Sequence, residues 1–211
     1  MKKAVSIFAT LLVTTAFAQS AFIVNLDNKF GLISQNGEEI LAPKYDNIEN
    51  FDIYKKGWAK VELNGLYGFI DANGKTVVEP TYDAVHNFDV YNKGWALIVK
   101  GGKFGFIDES GKEIVMPVYD KVGNFGEFKD NWILVESKEK KGFIDKTGVT
   151  VVAAKYHEIN KFDLVRKKWA MVKDQNGKMG FIDSFGKEII PVIYDNIESF
   201  KDRGTKLTYN N

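Results

Sequence analysis

The sequence contains no cysteine, and only two histidines and four prolines among its 211 residues. Without cysteine there is no thiol nucleophile, no disulfide and no cysteine-ligated metal or cluster. A lipid anchor on an N-terminal cysteine of a processed chain is excluded as well. Stability has to come from packing and not from staples. Neither sign of charge is in excess: 29 basic against 28 acidic residues leave a formal net charge of +1. Nothing global therefore points to nucleic acid or to an anionic membrane surface. His86 and His157 stand alone in different sequence contexts, whereas a general base needs an orienting partner and a nucleophile within reach. No catalytic set, cofactor site or metal site is expected.

The one long apolar run lies at the start. Lys2 and Lys3 precede an uncharged, mostly apolar stretch from Ala4 to Phe17, and Ala16-Phe17-Ala18 carries small residues where a signal peptidase reads. This pattern predicts a secretory signal over residues 1–18 with cleavage after Ala18. The run is too short to span a bilayer comfortably, and polar sequence follows at once. Residues 19–211 are accordingly expected as a single exported domain, periplasmic or extracellular and not membrane-spanning, long enough to bury a substantial core.

What fills that domain is a repeat. Gly-Phe-Ile-Asp-x-x-Gly occurs at Gly68 to Gly74, Gly105 to Gly111, Gly142 to Gly148 and Gly180 to Gly186, with a weaker copy at Gly31 to Gly37, in steps of 37, 37, 37 and 38. A fixed period marks one supersecondary unit that buries its apolar face against its neighbours. The units run at about 21–57, 58–94, 95–131, 132–168 and 169–206, followed by a short C-terminal cap.

Each unit reads as short strands joined by tight turns. The columns Phe22, Ala59, Ala96, Ile133, Ala170 and Val24, Val61, Ile98, Val135, Val172 lie two residues apart and are always apolar, which defines the buried face of a strand. Trp58, Trp95, Trp132 and Trp169 open that strand. Asn64-Gly65 and Gly101-Gly102 suit two-residue hairpins whose central residues need positive φ; Lys138-Glu139 departs from that chemistry and predicts strain. An extra residue near Gln175-Asn176-Gly177 accounts for the 38-residue step.

The next strand carries Gly68, Gly105, Gly142 or Gly180 in its middle, which marks close approach of a large ring or of another backbone, with the tryptophans as candidate rings. Asp71-Ala72-Asn73-Gly74 fits a type I turn with Asp capping backbone N–H groups and Gly in the left-handed position. Paired aliphatics such as Val77-Val78 form a third strand, which proline is expected to end at Pro43, Pro80 and Pro117. Tyr-Asp-x-Ile/Val-x-x-Phe closes the unit as a helical turn or as a short strand and bend.

The ordered combination of Trp-Ala, Gly-Phe-Ile-Asp-x-x-Gly-Lys, Val-Val-x-Pro-x-Tyr-Asp and a spaced Phe resembles the WG-repeat (KWG-repeat) family of bacteria over residues 21 to about 207. The position before the glycine, often Trp in that family, reads Phe30, Tyr67, Phe104, Lys141 and Met179 here. The resemblance implies an all-β tandem-repeat protein, often exported, with an interaction scaffold as the usual guess and no catalytic residues to carry over.

Short antiparallel strands with tight turns permit an open repeat stack or a small β-propeller. Ala21 and Leu207 both fall in the Trp column, so a closed ring would give two strands one place; the open stack is expected. The recurring Asp71, Asp108, Asp145 and Asp183 offer one carboxylate per turn, whereas calcium needs six or more converging oxygens.

For function, the candidate surface is the variable loop. Tyr54, Tyr91 and Phe128 recur there, with Lys55, Lys129 and Arg166 next to the ring column and Lys93 one place further on. In a stack these would line up as an aromatic stripe flanked by positive charge. Two readings follow: an exported, non-catalytic scaffold whose partner is another protein, or a lectin-like binder of envelope polysaccharide.

Overall fold

The computed structural model of the chain describes residues 21–200 and 204–208, and the expected signal over residues 1–18 lies outside them. The described residues contain strands and turns and no helix. The tryptophan strands are Phe22–Leu26 (which starts one residue after the Trp column), Trp58–Leu63, Trp95–Lys100, Trp132–Ser137 and Trp169–Lys173. Each pairs antiparallel with a glycine strand: Lys29–Ile33, Leu66–Asp71, Lys103–Asp108, Lys140–Asp145 and Met179–Asp183. The hairpin between them has the expected backbone: Asn64 and Gly65 lie at φ 54° and 76°, Gly101 and Gly102 at 57° and 70°. Lys138 and Glu139 are forced into the same left-handed pair, at 51° and 61°, where a Cβ costs about 1–2 kcal/mol per residue. The insertion at Gln175-Asn176-Gly177 converts this hairpin into an Asp-capped turn, with the Gly177 N–H donating to the Asp174 carbonyl at 3.2 Å and the Asn176 N–H to its carboxylate at 2.8 Å.

A third, aliphatic strand completes the sequence unit: Glu39–Tyr45, Thr76–Tyr82, Glu113–Tyr119, Thr150–Tyr156 and Glu188–Tyr194. Proline does not end it. The strand continues to the tyrosine, with the proline inside an irregularity: Tyr67 faces Tyr82 and Phe69 faces Val78, so Glu79-Pro80-Thr81 bulges past Gly68 alone. Proline is tolerated at such a bulge because no ladder N–H is needed there. The mid-strand glycine is explained by the same feature. A Cβ on Gly105 would stand 2.5 Å from the Val115 carbonyl oxygen and 2.6 Å from the Pro117 nitrogen. The close neighbour is therefore backbone. The indole is not involved, since Trp58 sits opposite Asp71 and it is Val61 that sits opposite Gly68.

The closing Tyr-Asp-x-Ile/Val segment is a short strand and not a helical turn. It leaves its own unit and pairs with the next tryptophan strand: Asn47 with Glu62 and Ile48 with Val61, Lys121 with Glu136 and Val122 with Val135. Ala84–Phe88 and Glu158–Ile159 do the same. Four sheets thus have four strands in the order closing, tryptophan, glycine, aliphatic; the first sheet has three, and the last closing strand forms a two-stranded sheet with Gly204–Thr208. In that pair Leu207 lies opposite Ile197, as Val172 lies opposite Ile159, so its register is that of the Val61 column and not the Trp column.

The cores lie between sheets. Leu32 and Tyr45 pack with Ile48, Ala59, Val61 and Ile70 of the following sheet. Trp58, Phe69, Val78 and Tyr82 pack with Val85, Phe88, Ala96, Ile98 and Ile107, and two further clusters repeat the arrangement along the chain. Each described cluster joins neighbouring sheets, and none joins the first sheet to the last. The architecture is an open stack of β modules. Trp58, Trp95 and Trp132 are buried at these interfaces, each against its own glycine-strand Phe and the next closing Phe, with centroids 5.1–5.9 Å apart.

Gly105→Ala should lower stability by about 2–3 kcal/mol through overpacking against fixed backbone. Urea unfolding checks this; an unchanged midpoint would contradict the close approach.

Candidate functional site

The variable loop is a built structure. Its backbone reverses at Asp52 (φ 69°) and Gly57 (φ 79°), and the Gly57 N–H donates to the Asp52 carboxylate at 2.5 Å. The Asp52 N–H donates to the Trp58 carbonyl and the Trp58 N–H to the Lys55 carbonyl, both at 3.1 Å. Asp89 to Trp95 and Asp163 to Trp169 repeat the loop, and Gly126 takes the aspartate's left-handed place in the remaining copy.

This backbone turns the expected stripe inward. Tyr54 packs edge-on against Phe69 at 5.8 Å and Tyr91 against Phe106 at 5.4 Å, and Phe128 lies tilted against Phe143 at 5.7 Å. The neighbouring cations fold back over the indoles. Lys55 Nζ lies 4.5 Å from the Trp58 ring, Lys129 Nζ 3.9 Å from Trp132, and the Arg166 guanidinium 4.2 Å from Trp169. Burial pulls the Lys129 ammonium below its ordinary pKa, as expected for a cation drawn off the surface. These side chains also tie one module to the next. Lys55 donates to the Glu109 carbonyl, Lys129 to the Ser184 carbonyl at 2.6 Å, and Asn92, in the same column, to the Lys146 carbonyl at 3.3 Å. Of the predicted stripe, Lys93 remains exposed on the loop, and so does Arg166 beside its indole.

What the loop presents outward is a different ladder. Ile53, Val90 and Leu164, one residue before the ring column, are 54%, 67% and 67% exposed, and Lys56, Lys93 and Lys167 are exposed beside them. The third loop breaks the pattern with Glu127 and Asp130. The sequence carries this signal as an apolar column inside a polar loop, beside a column of larger rings whose size and neighbouring cations make the stronger pattern. Between the first and second loops, Tyr54, His86, Val90 and Tyr91 line one open groove of about 510 Å³, so the structure does bring those two tyrosines to a common depression. His157 is exposed and stands two modules away, in a different depression.

The recurring aspartates have local partners. The Thr147 and Val149 N–H groups donate to the Asp145 carboxylate at 2.8 and 3.1 Å, and the Thr147 hydroxyl at 2.6 Å. Burial opposes ionisation of Asp145, yet these donors outweigh it and hold the carboxyl below its ordinary pKa. In the Tyr-Asp pair, Asp46 takes an ion pair from Lys29 and a hydrogen bond from the Asn64 N–H of the next hairpin, and both hold its carboxyl below the usual range. Among the described residues no three His, Asp or Glu side chains are grouped to hold a metal ion.

A family model described as "WG containing repeat" matches residues 30–67, 67–104, 104–140, 142–178 and 179–204. No protein of curated function matches the chain. Among solved structures, BamB from Moraxella catarrhalis is similar at 12% identity and a TM-score of 0.29, covering 86% of this chain and 62% of that one. AztD from Citrobacter koseri is similar at 14% and 0.30, covering 82% and 58%. PorZ, a bacterial surface component of the type-IX secretion system of Porphyromonas gingivalis, is similar at 10% and 0.28, covering 90% and 31%. The chain thus spans less than two thirds of each of these proteins, and likeness at this level carries no functional inference.

Tyr54→Ala should cost about 2 kcal/mol of folding stability, because it removes a ring packed on the core; unchanged thermal unfolding would mean the ring is free for a ligand. Asp145→Asn bears on pH. A carboxyl held below its unfolded pKa stabilises fully above the ordinary range, and the contribution is lost as pH falls through the folded value. The substituted chain should therefore be less stable at neutral pH and lose less stability between about pH 5 and pH 3. Parallel profiles in urea titrations would contradict the turn-cap role.

Proposed function

The chain belongs to the WG-repeat family, and we propose that it is an exported, non-catalytic scaffold that binds another protein along its loop edge. The observation that carries this reading is the outward ladder of Ile53, Val90 and Leu164 beside Lys56, Lys93 and Lys167. Exposed apolar residues recurring at one place in a rigid array suit a partner with matching apolar anchors, and the adjacent lysines suit acidic residues around them. Export rests on the Lys2-Lys3 start, the apolar run to Phe17 and the small residues at Ala16 and Ala18. Among the described residues no helix is long and apolar enough to cross a membrane. A non-catalytic role is supported by the placement of the two histidines on separate modules.

The polysaccharide reading is supported by one observation, the shared groove of Tyr54 and Tyr91. Both rings already pack edge-on against core phenylalanines, which leaves little face for a sugar to stack on.

A photo-crosslinker at Val90 in intact native cells distinguishes them. A defined protein adduct is expected that fades when Ile53 and Leu164 become Ser and is missing from a crosslinker at Met116 on the aliphatic strand. Adducts to polysaccharide, or equal protein adducts at both positions, would overturn the proposal.

A further inference from the structure

One interface design recurs along the array. A closing strand lies against the following tryptophan strand, Ile48 opposite Val61 and Ile159 opposite Val172. The residue one place earlier pairs as Asn47 with Glu62 and as Lys121 with Glu136, the latter an ion pair at 2.9 Å. The aspartate before the strand receives the next hairpin's N–H, Asp46 from Asn64 and Asp120 from Lys138 at 2.6 Å. The turn glycine of each following module sits on the aliphatic pair behind it: a Cβ on Gly111 would stand 2.7 Å from Val78 Cγ2, and one on Gly186 2.8 Å from the Val151 carbonyl oxygen.

At the two ends of the array the halves of this interface recur without each other. Among the described residues Phe22–Leu26 pairs with Lys29–Ile33 alone, and none lies within 4 Å of the Cβ position at Gly37. At the other end the segment Tyr194-Asp195-Asn196-Ile197-Glu198 repeats Tyr45-Asp46-Asn47-Ile48-Glu49 residue for residue. Lys178 meets Asp195 at 2.7 Å as Lys29 meets Asp46. The strand that occupies this last closing strand, Gly204–Thr208, has a described partner on one side only and lacks the Trp-Ala opening of its counterparts.

We propose that the two ends are halves of one further interface of the same design, formed between two copies of this chain. Asn196 and Ile197 of one copy pair with Asn25 and Val24 of a second, in place of Gly204–Thr208, and the turn at Gly37 of the second copy seats on Ile189 and Ile190 of the first. The register follows from Val24 standing in the Val61 column and Asn25 in the Glu62 column. Such a contact joins unlike faces, so it leaves each copy with an end for another and extends the stack head to tail. It is independent of whatever partner the loop edge takes.

Sedimentation velocity of the full chain over a concentration series tests this. Asn25 and Asn196 are exposed, so changing them leaves the fold intact. The native chain should associate with rising concentration, and Lys206→Pro, which weakens the occupying strand, should strengthen association. Asn25→Lys in a chain that also carries Asn196→Lys should weaken it about tenfold by like-charge repulsion. A mixture of an Asn196→Lys chain with an Asn25→Glu chain should recover it, reproducing the Lys121–Glu136 pair. Native and Lys206→Pro chains that both stay monomeric, or association indifferent to the charge changes, would overturn the proposal.

Discussion

The structure depends on one constraint: a module cannot bury its apolar face by itself. Its closing strand belongs to the next sheet, its tyrosine and aliphatic pair lie under the next module, and its tryptophan is covered by the next closing phenylalanine. Backbone pairing and side-chain burial thus cross the same boundary. Polar contacts reinforce it, with the Tyr82 hydroxyl donating to Glu113 at 2.7 Å and the Tyr156 hydroxyl to Glu188 at 3.0 Å. Stability in such an array is a sum of weak modules and strong junctions.

This division explains why the chemistry of the repeat is structural. Asp46 and Asp120 each bind a lysine of their own module and an N–H of the next hairpin, so they act as pins between modules. Asp71 and its equivalents hold tight turns whose glycine must lie close under the neighbouring sheet. Lys55 and Lys129 close the loop over the tryptophan and reach a carbonyl one module further. Once those groups are committed, what remains for recognition is the exposed rim, where the apolar column and its lysines stand.

Much of this was legible in the sequence because it is local. The apolar alternation of Ala59 and Val61, the positive-φ chemistry of Asn64-Gly65 and the aspartate-capped turns each need only a few adjacent residues. Features set between modules were harder to read. The tenancy of Ile48 in the following sheet, the backbone pressed on Gly68 and the continuation of the strand past Pro80 depend on register between segments. The loop stripe misled for a related reason. A tyrosine and a lysine in a variable loop look exposed, and only the reversal at Asp52 and Gly57 folds them onto Phe69 and Trp58.

The most direct test is the circular dichroism and amide-proton dispersion of the isolated module 84–119, compared with the same residues inside the full chain. The account predicts an unfolded peptide outside the array and a protected four-stranded sheet within it. A cooperatively folded, protected module on its own would contradict the dependence of each module on its neighbours.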